Sequence, residues 1–302
     1  MNKKLIALAV AAASISGFAS AAEVYSSDSA TLSVGGRAEV RTRLNDGDLI
    51  DRSRARINVG GTSAITESLT AIGFTEFELN PGKGAIETRL LFAGFQGDFG
   101  NVTYGQQNGS LGQITDFSDI FNANGGTNGA KITVADRATQ NIAYTNNFGA
   151  LSLRANYKFE EEGANDAGFS LSGVYTIADF AIGAGYGQQD AAGDDAQQAI
   201  AGVSYTGIDN LYLGMTYAHA NAAANKVDSG IELAARYTMG KNHVGFGYFT
   251  ADAVEGDKDF GDVLTLEVGH KFNSNLRGAI GSDINMDHSN KTNINAHLRY
   301  DF

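Results

Sequence analysis

Arginine is the residue whose spacing first suggests chemistry. Arg37, Arg41 and Arg43 recur at odd positions of one segment, and Arg52, Arg54 and Arg56 recur at even positions of the next. Arg89 and Arg137 follow, with Asp116 and Asp119 between them. In an extended chain such spacing puts each series on one face, and hairpin neighbours bring the two series side by side. Crowded guanidinium groups repel unless water or carboxylates offset them. The chemistry this supports is a fixed electric field beside water, with Asp116 and Asp119 supplying the opposite sign. Arg43 and Arg52, at the outer ends of their segments, fit a solvated basic wall. Arg37, Arg56 and Arg89 lie deeper and fit a pore lining.

Bond-making chemistry finds less support. His219, His243, His270, His288 and His297 have no serine and acid arranged around them as a nucleophilic triad, and they read as polar surface residues. Asp194 and Asp195 sit in a connection and do not suggest acid–base work. Cysteine is absent, which excludes thiol catalysis and thiolate metal sites. The acids of Asp252–Asp262 lack the register of a calcium loop, and Glu160–Glu162 reads as a solvated run. Nothing resembles a phosphate-binding glycine loop. The chain is therefore expected to be no enzyme and to need no cofactor and no metal.

The elements that would carry the arginines are strands. In Thr31–Asn45, Leu32, Val34, Ala38 and Val40 alternate with Arg37, Glu39, Arg41 and Arg43. The same period of two recurs at Leu151–Phe159, Ile231–Thr238, Leu264–Lys271 and Ile294–Phe302. Each face must then meet a different solvent. Compact turn signals near Gly97–Gly100, Asn146–Gly149, Ile177–Asp179, Thr206–Asn210, Gly240–Asn242 and Asn273–Asn275 alternate with longer polar connections. Short turns at one rim and longer loops at the other is the plan of an outer-membrane barrel. Counting segments gives about sixteen strands. A β-sandwich could also alternate, but long strands in monotonous hairpin order, with aromatics such as Tyr157, Phe159, Phe246, Tyr248, Tyr300 and Phe302 near strand ends, favour the barrel.

The N-terminus agrees. Lys3 and Lys4, the apolar run Leu5–Phe18 and Ala19-Ser20-Ala21 have the order of a secretory signal peptide. Cleavage is expected after Ala21, giving a signal peptide at 1–21 and a barrel domain at 22–302. Loss of Lys3 and Lys4 takes the net charge from -12 to -14, which argues against nucleic acid as a partner. One proline and 38 glycines suit many unbroken strands with close backbone approaches.

One connection, from Asn108 to about Val134, has no alternation. It holds Ile114, Phe117, Ile120 and Phe121 beside Asp116 and Asp119. Long loops in compact domains are usually functional. This one is expected to fold into the lumen, dock its apolar residues on the wall and narrow the channel.

Specific stretches sharpen the picture. Ser53-Arg54-Ala55-Arg56-Ile57-Asn58-Val59-Gly60-Gly61 resembles the second strand of the general Gram-negative porins. Thr88–Phe95 and Gly97–Gly105 are similar to that family's next hairpin, and Tyr300-Asp301-Phe302 to its end. The resemblance spans essentially the mature chain. It implies a sixteen-stranded antiparallel transmembrane β-barrel, usually a homotrimer, in the outer membrane among lipid and lipopolysaccharide. It also implies passive diffusion of small hydrophilic solutes and ions past an inward third loop. By position, Arg37, Arg56, Arg89 and Arg137 match the family's basic constriction cluster, Asp116 matches one loop acid and Asp119 approximates the other. The family's Pro-Glu-Phe-Gly-Gly loop stretch is absent. The competing expectation is a structural or adhesin-type barrel with a closed lumen.

Overall fold

A computed structural model describes residues 21–82, 84–124, 131–164, 166–191, 194–221, 227–253, 262–286 and 292–302. Apart from Ala21, the expected signal peptide lies outside these residues, as does most of the acidic run Asp252–Asp262.

The strands are β1 (Ala22–Ser26), β2 (Ala30–Asn45), β3 (Asp48–Asp51), β4 (Arg54–Ala64), β5 (Leu69–Asn80), β6 (Ala85–Gly97) and β7 (Gly100–Asn108). After two short helices, α1 (Gly112–Thr115) and α2 (Thr133–Asp136), come β8 (Arg137–Phe148), β9 (Leu151–Lys158), β10 (Gly168–Ile177), β11 (Phe180–Gln189) and β12 (Ala196–Ile208). The chain continues through β13 (Leu211–Ala220), β14 (Val227–Met239), β15 (Asn242–Ala253), β16 (Val263–Lys271), β17 (Leu276–Asn285) and β18 (Thr292–Asp301).

All belong to one antiparallel sheet in which, β3 and β4 apart, each strand pairs with its neighbour in sequence and β18 pairs back onto β2. Closure removes every free edge. Two strand places are composite. β3 and β4 both pair with β2, along Thr42–Asn45 and Ala30–Glu39 respectively, and are separated by Arg52 and Ser53. Arg52 N–H still donates to the Arg41 carbonyl (2.8 Å), so the break is local. At the other edge of β2, β18 pairs with Arg37–Leu44 and β1 with Thr31–Val34. Phe302 closes the gap by exchanging backbone hydrogen bonds with Gly36 at 2.9 and 3.0 Å. Counting each composite once gives the sixteen-stranded barrel.

The two faces are inverted relative to a water-soluble protein. In β10, Phe169 and Leu171 are 44% and 47% exposed, while Ser170 and Ser172 are 1% exposed. Ile182, Leu266 and Ile280 are likewise exposed. An apolar belt facing outward costs nothing only if lipid covers it. Short turns at Asp98–Phe99, Gly149–Ala150, Ala178–Asp179 and Gly240–Lys241 join the strands at one rim. Gly149 and Gly240 sit there at φ +62° and +60°, which glycine adopts without strain.

Candidate functional site

Register builds the inner wall. One cross-strand row runs Arg277–Arg299–Glu39–Arg54 over β17, β18, β2 and β4. The adjacent row runs Asp301–Arg37–Arg56–Glu78 over β18, β2, β4 and β5. Arg37 and Arg56 stand directly opposite one another, and at that spacing like charges are destabilising. Carboxylates on the same wall relieve this. Glu39, which is nearly fully buried, accepts from Arg54 Nε and lies 3.4 Å from Arg37 and 3.7 Å from Arg299. Glu78 accepts from Arg56 Nε at 2.6 Å, and Glu76 accepts from Arg89 Nε at 2.8 Å. Arg56–Glu76 and Arg89–Glu78 cross-links at 3.8 and 3.7 Å tie the two pairs into a lattice. Charge-assisted bonds of this kind also hold the long side chains in fixed directions.

The opposite wall is built otherwise. Residues 109–124 and 131–136 lie against the polar face of β9–β17. Ser110 N–H donates to Asn156 Oδ1 (2.9 Å), and Gln113 Nε2 donates to Ser172 Oγ (2.6 Å). The Ser118 hydroxyl donates to Glu232 and lies 3.0 Å from Thr216 Oγ1. Further along, Glu267 receives Asn122 N–H (2.8 Å), Ala123 N–H (2.7 Å) and Asn122 Nδ2 (3.1 Å). On the return leg Ile132 and Val134 N–H donate to Gln198 and Gln189 at 3.1 and 3.0 Å.

Beneath these bonds Leu111, Ile114, Phe117, Ile132 and Val134 form an apolar cluster with Ala196 and Ile200. Phe121 packs edge-on against Phe249 with ring centroids 6.0 Å apart. Each such side chain contributes about 1.5–3 kcal/mol on burial, which offsets the roughly 1–2 kcal/mol per residue needed to order the backbone. The wall makes room with glycine. A Cβ at Gly214 would overlap the Phe117 carbonyl, and one at Gly202 would come within 2.9 Å of the Phe117 ring.

Of the residues singled out from sequence, Arg37, Arg56 and Arg89 enter the lattice and Arg137 does not. Arg137 opens β8 opposite Asn108 and takes part in none of those ion pairs. Asp116 and Asp119 are exposed on the docked segment. Among the described residues neither forms an ion pair with Arg37, Arg56 or Arg89; the carboxylates that do so are Glu39, Glu76 and Glu78. Arg43 Nε donates to Asn295 (3.1 Å).

Sequence reasoning missed Arg299, Glu76, Glu78 and Glu267, whose signal was their inward parity on alternating strands. It also misjudged two histidines. His297 is 6% exposed beside Glu39 (3.4 Å), and His243 is half-buried with Nε2 3.0 Å from Glu267. Both are at inward positions, and Gly269 leaves the space that the His243 ring fills. Among the described residues no cluster of His, Asp or Glu could hold a metal ion.

Known proteins share this plan. The solved structure of Salmonella typhi OmpF in complex with daunomycin superposes with a TM-score of 0.82 at 19% identity, covering 93% of this chain and all of that one. The trimer form of Vibrio cholerae OmpT, folded in vitro, gives 0.75 at 21% identity over 91% of this chain and all of its own. In sequence, outer membrane protein U of Vibrio parahaemolyticus is 35% identical, covering 95% of this chain and 90% of its own length. Porin-like protein L of Photobacterium profundum is 36% identical over the full length of both. The family described as Gram-negative porin matches residues 7–283. With its closed inside-out barrel and charged inner wall, the chain belongs to the Gram-negative porins, the non-enzymatic channel proteins of the outer membrane.

Proposed function

We propose that small hydrophilic solutes and ions diffuse through this barrel past a narrow zone. One side of that zone is the lattice containing Arg37, Arg56 and Arg89, and the other is the docked segment carrying Asp116 and Asp119. The observation that carries the reading is that the segment bearing Asp116 and Asp119 is anchored on the wall away from that lattice, through Ser110, Gln113, Ser118 and Asn122. Acids exposed on a segment docked there face the basic wall across the lumen. A field of this kind orients polar solutes and sets ion preference. Arg137 contributes to the potential at the edge of the zone.

Glu39, Glu76 and Glu78 offset much of the local positive charge, so the overall acidity of the chain gives a weak cation preference. The functional unit is a homotrimer, each chain with its own pore, set in lipid and lipopolysaccharide. Cleavage after Ala21 delivers Ala22 to the seam beside Phe302. Purified protein in a planar bilayer tests the reading. Stepwise conductance in triplets and a cation-directed reversal potential in a salt gradient are expected. A silent barrel would favour the closed-lumen alternative, and anion preference would overturn the charge argument.

A further inference from the structure

The outer wall carries a groove of about 590 Å³ that crosses β15, β16, β17, β18 and β2. Its lower border is the cross-strand row Asn242–His270–Gly278–Leu298, which ends at Val40. Its upper border starts at Val244 and Val268 and continues through Ile280 and Ala296. Gly278 and Ala296 give the groove its depth. Val268, Ile280 and Leu298 are 57%, 58% and 44% exposed, so none of the described residues covers them.

The groove is not level. Asn242 begins β15 directly after the Gly240–Lys241 turn, whereas Val40 lies well inside β2. Strands in such barrels tilt by about 35–45°, so a row of paired residues climbs from the short-turn rim toward the middle of the wall. That rim is the periplasmic one in this class of barrel.

The two ends differ in chemistry. Upward the lining is aliphatic. At the rim, Lys241 Nζ donates to the Phe272 carbonyl (3.1 Å), and the His270 ring packs edge-on against Phe272 with centroids 4.7 Å apart. His270 Nδ1 lies 2.7 Å from Asn242 Oδ1. Cationic and hydrogen-bonding groups at one end of an apolar channel match a phosphate joined to an acyl chain. The position of the groove on a lipid-facing wall supplies that molecule directly.

We propose that this groove is a binding site for one anionic glycerophospholipid of the periplasmic leaflet. Its phosphate sits at Lys241 and His270, and one acyl chain follows the groove past Gly278 and Leu298. The site is separate from the pore and does not depend on the reading of the narrow zone.

The chain contains no tryptophan, so a single introduced indole reports without background. Phe272→Trp places it at the groove. Phe180→Trp places a reference on the far wall, at the start of β11 beside the same rim. Both full-length variants are inserted into phosphatidylcholine vesicles carrying a minor fraction of phosphatidylglycerol brominated near the glycerol end of its acyl chains. Phe272→Trp should be quenched at a several-fold lower fraction of brominated lipid than Phe180→Trp. One lysine near a lipid surface is worth about a fivefold change in association with anionic lipid, so adding Lys241→Gln should raise the required fraction about fivefold. Adding Gly278→Leu should abolish the difference between the two reporters. Equal quenching at both positions would overturn the proposal. So would an indole at 272 shielded from brominated phosphatidylglycerol and brominated phosphatidylcholine alike, because a second copy of the chain would then cover the groove. Should Phe272→Trp fail to insert, Met239→Trp reports from the same groove.

Discussion

The inner wall has two halves that solve one problem in opposite ways. From β17 through β18 and β2 to β6, long charged side chains project inward and are held by one another. From β9 to β16, serines, small residues and glycines leave much of the surface low between Arg154, Glu232, Arg236 and Glu267, and a separate stretch of backbone lies over it. In the first half the lumen is shaped by side chains whose charges are paired across strands. In the second it is shaped by main chain anchored on Ser172, Glu232 and Glu267. On the proposed reading, the difference teaches that charge and bore are controlled separately. A substitution on one half should alter selectivity with little change in stability, and one on the other should do the reverse.

The most severe way to break this division is to fill the low wall. Gly214→Leu would drive a side chain into the Phe117 carbonyl, and overpacking against backbone should cost about 3 kcal/mol or more. The urea midpoint of the barrel in lipid vesicles measures it; an unchanged midpoint would mean that the segment does not rest on β13. Next comes the far anchor. Glu267→Ala removes the acceptor of three hydrogen bonds from Asn122 and Ala123 and should weaken docking by about 2 kcal/mol or more. Single-channel recordings should then become noisier while ion preference changes little.

On the charged half the expected signs reverse. Replacing Arg37, Arg56 and Arg89 together with glutamine should move the reversal potential toward cations and leave the urea midpoint nearly unchanged. No shift would remove these residues from the narrow zone. Glu39→Gln, which strips the acid shared by Arg37, Arg54 and Arg299, should move it less, and toward anions. The smallest effect is expected of Asp119→Asn, a slight shift toward anions in the same measurement, because Asp119 touches no arginine of the lattice directly.

Much of the fold was legible because each face of a strand meets one solvent for its whole length. The alternation of Leu32, Val34 and Val40 with Arg37, Glu39 and Arg41 could survive only where lipid and water lie on opposite sides. The docked segment was legible for the converse reason, since Phe117 and Phe121 had no place in an alternating pattern and needed apolar cover. What could not be read was pairing between strands. That Glu78 faces Arg56, or that Arg299 reaches Glu39, depends on register, and one residue of slippage would exchange every partner. The receiving wall left a trace that was readable in principle. In β11 the inward residues Gly183, Gly185 and Gly187 alternate with Ile182, Ala184 and Tyr186, a pattern that reserves space on one side only.

The composite place beside β2 has a kinetic consequence. β1 and β18 share one edge of a single strand, and Phe302 joins Gly36 across almost the whole chain. Every other pairing in the sheet can zip between sequence neighbours as it becomes available. This one has no local route, and its loop-closure entropy must be met in a single encounter. Closure of the cylinder is therefore expected to come late, by long-range docking of β18 onto β2, with the Phe302–Gly36 bonds fastening that step.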